Sequence, residues 1–229
     1  MYAVSYMIKK FNVYDIKVQL NLFYKNKNFS LNQMSEKFKN EWVANSDWLK
    51  LSFHSLYKKV LPYEKTDYEE IFVDCMKVQK EIVRFAGEES LGKTSTIHYC
   101  NVTKEGLSAL LACGVQGLLG LYGTIDNPKK SYQTSELENF ALRNGKFVLS
   151  SGITYANIDI VLNEFEIEDI LSKLETLSDR SIIKIMIHEQ YFYNDYFRYQ
   201  RNFQEKLEQT FSFLVKKGFR FQFFEDLLD

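Results

Sequence analysis

The chain has three histidines, and each closes a short apolar run: Leu51-Ser-Phe-His54, Ser95-Thr-Ile-His98 and Lys184-Ile-Met-Ile-His188. A neutral imidazole ligates divalent cations, and its titration near neutral pH lets it move protons. If the three runs are strands of a parallel sheet, their carboxyl ends lie on one rim, where such folds build their sites. A single histidine at a strand end is most simply a hydrogen-bonded structural residue, whereas three at equivalent positions point to a shared task. Glu189 directly follows His188, and Gln190-Tyr-Phe-Tyr193 continues the same polar, aromatic loop, readable as a ligand contact or as a solvated cover. Asp159, within Asn157-Ile-Asp-Ile-Val161, puts an acid into an apolar strand, where it needs a partner or a task. Metal ligation, base chemistry and a salt bridge are all open to it.

The elements that must position these residues follow from periodicity. Short apolar runs alternate with longer amphipathic stretches, as expected of parallel βα units rather than hairpins. A helix is expected over Tyr2 to Phe11, a strand over Lys17 to Tyr24, a helix capped by Ser30 and running to about Ala44, and a strand from Asp47 to His54. Thr66 and Glu69 have the spacing of a capping box for a long helix ending near Gly87. A strand from Thr94 to His98 follows, then a helix from Thr103 closed by Gly114 and a strand from Val115 to Tyr122. The polar stretch from Gly123 to Gly145 reads as a loop or insertion. Beyond it come strand-like residues from Phe147 to Leu162, broken at Ser150-Ser-Gly152, and a helix from Ile167 to Leu177. The strand Ser181 to His188, a helix from Asn202 to Lys217 and a last strand from Phe219 to Phe223 complete the series. The expected fold is α/β: a single-domain parallel β/α barrel over residues 1–229, distorted, of about seven strands and incomplete at its N-terminal strand.

Composition narrows the partners. With 29 Lys+Arg against 30 Asp+Glu, no bulk positive field favours nucleic acid or anionic lipid. The stretch from Met1 to Lys10 lacks the features of a secretory signal, and nowhere do eighteen or more apolar residues run together, so no membrane span is expected. Cys75, Cys100 and Cys113 are odd in number and lack CxxC spacing, which suits a reducing, cytoplasmic setting. The glycines at 114, 117, 120 and 123 do not fit a nucleotide fingerprint, and close packing of a strand and its turn explains them more simply.

Ser181-Ile-Ile-Lys-Ile-Met-Ile-His188, the helix after it, and Phe213-Leu-Val-Lys-Lys-Gly-Phe-Arg-Phe-Gln-Phe-Phe-Glu-Asp-Leu-Leu228 resemble the closing segment of the polysaccharide deacetylase family, which has the NodB homology domain. Met7 to Phe23 is similar to the helix and second barrel strand of that family, and Ser52-Phe-His-Ser55 is similar to its His-Ser metal motif. The family holds a divalent metal, usually zinc, with one aspartate and two histidines. The metal activates water against an acetamide carbonyl, a second aspartate acts as base and a histidine protonates the leaving amine. The resemblance implies His54 as metal ligand and His188 as general acid. Lys58 stands where the family has its second metal histidine, and His98 is the residue expected to replace it. The family's Asp-Asp strand has no counterpart, because the chain begins in the helix that follows it. Either an N-terminal segment precedes the sequence, or the protein dispenses with the pair.

The implied function is metal-dependent removal of an acyl group, such as acetyl, from a sugar or glycan precursor. His188, Asp159 and Glu189 form the candidate catalytic set, His54 and His98 the candidate metal ligands, and Tyr99, Tyr191 and Tyr193 the candidate substrate contacts. The alternative is a catalytically silent relative that binds carbohydrate or acts as a scaffold. A third reading is an unrelated β/α enzyme using the histidines for acid-base work alone. Without its first strand the barrel would carry an unpaired edge, through which the chain could form an oligomer.

Overall fold

A computed structural model describes residues 2–58 and 62–228. Along the chain the elements are α1 (Tyr2–Tyr14), β1 (Val18–Lys25), α2 (Lys39–Ala44), β2 (Leu49–Tyr57), α3 (Tyr68–Ala86), β3 (Thr94–Ser95) and α4 (Lys104–Ala112). There follow β4 (Gly117–Gly120), α5 (Glu136–Arg143), β5 (Val148–Ser150), β6 (Ile153–Asn157), β7 (Ile160–Val161), α6 (Ile167–Glu175), β8 (Ile185–Met186) and α7 (Phe203–Lys216). The chain forms two compact units, Val18–Asn157 with Phe223–Asp229, and Met1–Lys17 with Ile158–Gln222.

In the larger unit β1 and β2 pair in parallel, and β3, β4 and β6 form a parallel run edged by β5. A bridge from Leu51 to Leu91, with Gly92 N–H donating to Leu51 O at 2.8 Å, links the stretch before β3 to β2. Side chains alternate across a strand. On β1, Leu20, Leu22 and Tyr24 therefore join Leu51 and Phe53 of β2 in a core shared with Ile71, Cys75, Val78 and Ile82 of α3. Gln19, Asn21 and Phe23 occupy the other face. Gly117 and Gly120 lie where a Cβ would stand 2.7 Å from Phe224 and 2.8 Å from Ser131, so close packing does require them. In the smaller unit β7 and β8 pair in parallel, and α7 packs against α6 and α1.

The fold is thus α/β with parallel sheets, but the strands differ from expectation. Among the described residues eight short strands form three sheets, and no ladder closes into a ring. The two-residue turn Ser151-Gly152, with φ of 52° and 80°, joins β5 and β6 into an antiparallel hairpin. Positive φ at both central residues matches the twist of a tight hairpin, so the break in the apolar run was a reversal. The expected strand Ser181–His188 pairs only at Ile185–Met186, and Phe219–Phe223 forms no strand but precedes a 3-10 turn at Phe224–Leu227.

Several caps account for the helix boundaries. Asp67, rather than Thr66, is the N-cap of α3: its carboxylate accepts from Glu70 N–H at 3.0 Å, while Thr66 Oγ1 donates to Pro62 O at 2.9 Å. The helix expected from Ser30 to Ala44 breaks into 3-10 turns at Leu31–Gln33 and Glu36–Phe38 before α2. Ser30 and Ser35 each begin a turn, and the chain is extended at Met34 between them. Serine side chains that bond local N–H groups compete with helix continuation. The supposed loop over 123–145 contains α5, started by a capping box between Ser135 and Glu138. No helix among the described residues is long and apolar enough to cross a membrane.

Candidate functional site

In the larger unit, His54 and His98 stand side by side. His54 Nδ1 bonds the carbonyl oxygen of Thr96, and His98 Nδ1 lies 3.1 Å from His54 Nε2. A carbonyl only accepts, so His54 carries its proton on Nδ1 and presents Nε2 as an acceptor. His98 then donates from its own Nδ1. The order is Thr96 O, His54, His98.

Two departures from regular structure create this arrangement. The β1–β2 register passes from Leu22↔Phe53 to Phe23↔Ser55, so the ladder skips His54. Such bulges re-aim side chains and are common beside functional sites. His98 does not end a strand but opens a 3-10 turn, in which Tyr99 and Cys100 have φ of 62° and 50°. Non-glycine residues in this region each cost on the order of 1–3 kcal/mol and need support from their surroundings. Cys100 N–H donates to Ile97 O at 2.7 Å, and Tyr132 N–H donates to Cys100 O at 2.7 Å. The turn leaves Tyr99 53% exposed, its ring centroid 4.5 Å from that of His98.

A polar network on the face of β1 and β2 opposite the hydrophobic core supports the pair. Asn21 Oδ1 accepts from Ser52 Oγ at 2.7 Å and from Thr96 N–H at 3.2 Å. Asn21 thereby holds the residue whose carbonyl orients His54. Gln19 spans to β3, donating to Thr94 O and accepting from Thr94 Oγ1, each at 2.7 Å. Phe23 stands edge-on to both imidazoles, with centroids 4.8 Å from His54 and 4.9 Å from His98. The alternation of Gln19 and Asn21 with Leu20 and Leu22 was the sequence signal for this face.

No family profile matches the chain, and neither does any curated protein. Solved structures do match. The chain shares its fold with a CE4 family pseudoenzyme. That protein, wild-type BA3943 of Bacillus anthracis, belongs to the polysaccharide deacetylase family and superposes with a TM-score of 0.57 at 10% identity, over 100% of this chain and 61% of its own. A 4-alpha-glucanotransferase of Thermococcus litoralis superposes with a TM-score of 0.65 at 14% identity, over 97% of this chain and 35% of its own. The chain therefore spans less than two thirds of either protein, and the likeness is one of α/β fold alone.

The remaining candidates belong to the smaller unit. His188 Nδ1 lies 2.9 Å from Asn163 Oδ1, and burial lowers the imidazole pKa below its ordinary value of 6.5, with Glu164 opposing the shift. The Asp159 side chain is fully buried: it pairs with Arg180, meets Lys184 Nζ at 2.9 Å and accepts from Lys184 N–H at 2.8 Å. These partners account for an acid in an apolar strand. Glu189 is exposed and begins a 3-10 turn with Tyr191 and Phe192, both buried. Tyr191 packs against Tyr196 and Phe203 at centroid distances of 5.3 and 6.1 Å, whereas Tyr193 is half-buried.

The metal implied by the resemblance finds an incomplete donor set. Catalytic zinc sites use three protein ligands and keep a fourth position open. Here the facing nitrogens of His54 and His98 are engaged with each other, and Lys58 is exposed at the end of β2. Among the described residues no group of three or more His, Cys, Asp or Glu side chains is placed to hold an ion.

Proposed function

We propose that the protein is a catalytically silent, deacetylase-like carbohydrate-binding protein whose site is the His54–His98 pair and Tyr99. The observation that carries this reading is the exposed Tyr99 ring beside the imidazoles, its centroid 4.5 Å from that of His98. An exposed aromatic ring beside fixed polar groups suits a sugar, which offers an apolar face and hydroxyl edges. The strained turn that presents Tyr99 supports a role at a site rather than in the core.

Titration with chitotetraose, followed by NMR while free acetate is measured, tests the reading. Saturable binding, weakened about tenfold in Tyr99→Ala, is expected without acetate release; the loss corresponds to about 1.4 kcal/mol, the order of an aromatic contact. Acetate release that disappears in His98→Ala would overturn it in favour of a hydrolase. One observation favours that second reading: the 3.1 Å between the two nitrogens is close to the roughly 3.3 Å edge of a tetrahedral zinc site. His188 and Glu189 would then be candidates for acid-base work, and Asp159 would have to act from within its ion pair.

A further inference from the structure

A second feature of the larger unit lies at the carboxyl ends of β1 and β2. A cleft of about 480 Å³ is lined by Tyr24 and Lys25 at the end of β1, the loop residues Lys27 and Asn28, Tyr57 at the end of β2, and Lys77 of α3, among others. Among the described residues its lining contains three lysines and no aspartate or glutamate. None of the ion pairs among the described residues involves Lys25, Lys27 or Lys77.

The walls are held in place. Asn26 Oδ1 accepts from the N–H groups of Asn28 at 2.9 Å and Phe29 at 2.8 Å, and Asn26 N–H donates to Phe29 O at 2.9 Å. Lys77 Nζ lies 4.3 Å from the centroid of the Tyr24 ring, a cation–π contact that restrains its ammonium. Three like charges around one concave surface repel one another and gain when an anion enters, because the cleft focuses their field. Asn28 and the rings of Phe29 and Tyr57, each more than a third exposed, add a hydrogen-bonding and stacking surface suited to a sugar ring.

We infer that this cleft binds the oxyanion of a charged saccharide, its lysines taking a phosphate or carboxylate group and its aromatic and amide side chains the ring. The oxyanion assignment stands on the cleft alone, whereas the saccharide part rests on the carbohydrate reading above. Glucose 1-phosphate, glucuronate, inorganic phosphate and glucose are the probes, titrated into the full ¹⁵N-labelled chain. Glucose 1-phosphate and glucuronate should shift the amides of residues 25–33 saturably, glucose should not, and raising the salt should weaken binding. Lys27→Gln/Lys77→Gln, at two exposed positions, should weaken glucose 1-phosphate binding at least tenfold while leaving the remaining spectrum unchanged. No saturable shift, equal shifts with glucose, or unchanged affinity in the double variant would overturn the oxyanion site. Binding of inorganic phosphate as tight as that of glucose 1-phosphate would overturn the saccharide assignment alone. Unchanged binding in Tyr99→Ala is expected, so failure at the His54–His98 site leaves this result readable; loss in that variant would overturn the independence of the cleft.

Discussion

Replacing Asp159 with alanine should unfold the protein far more readily than replacing a surface acid. Its side chain is fully buried, and that of Lys184 is only 6% exposed. The alanine variant leaves the Lys184 ammonium without its counter-charge and removes the acceptor for Lys184 N–H. Breaking a buried pair from one side costs about 3–5 kcal/mol, mostly through the uncompensated charge. Arg180, 31% exposed, is screened by solvent and contributes about 0–1 kcal/mol to that total. Urea denaturation followed by circular dichroism at pH 7 measures the loss. The double variant Asp159→Leu/Lys184→Met, which removes both charges, should recover most of it. A loss below about 1 kcal/mol in Asp159→Ala would refute the structural role, as would a double variant less stable than the single one.

His188 should titrate below 6.5, because its desolvated imidazole resists protonation. The unfolded chain then binds more protons between the folded and unfolded pKa values, so stability is full above 6.5 and falls as the pH drops through that window. Glu164→Gln should lower the NMR midpoint further by removing the opposing charge; a midpoint at or above 6.5 in the unmodified chain contradicts the assignment. Asn21→Ala should cost about 1–3 kcal/mol in urea unfolding, because Ser52 Oγ and Thr96 N–H lose their acceptor. It should also shift the ring resonances of His54, through Thr96; unchanged stability and unchanged rings would sever the proposed link.

The alternating β/α rhythm and the helices at Thr103 and Ile167 were legible because each rests on local pattern, whereas His54 lies within β2 rather than at its end and His98 opens a 3-10 turn. Ser135-Glu-Leu-Glu138 carried a readable capping signal for α5, but polar surroundings hid it. The strand lengths were not legible: Ser181–His188 is apolar enough for a strand throughout, yet only Ile185 and Met186 find a parallel partner. The meeting of His54 with His98 depends on a bulge and on a left-handed turn, neither of which has a signature in residue type. Asp159 needed Arg180 and Lys184, whose proximity is a consequence of tertiary pairing.

The central claim is that His54 and His98 form a hydrogen-bonded pair and not a metal centre. Elemental analysis of the purified chain after incubation with excess zinc and exhaustive dialysis tests it most directly, beside His54→Ala and His98→Ala. The account predicts far less than one equivalent of zinc, with no difference among the three proteins. Zinc near one equivalent, lost in both variants, would contradict it and put the hydrolase reading first.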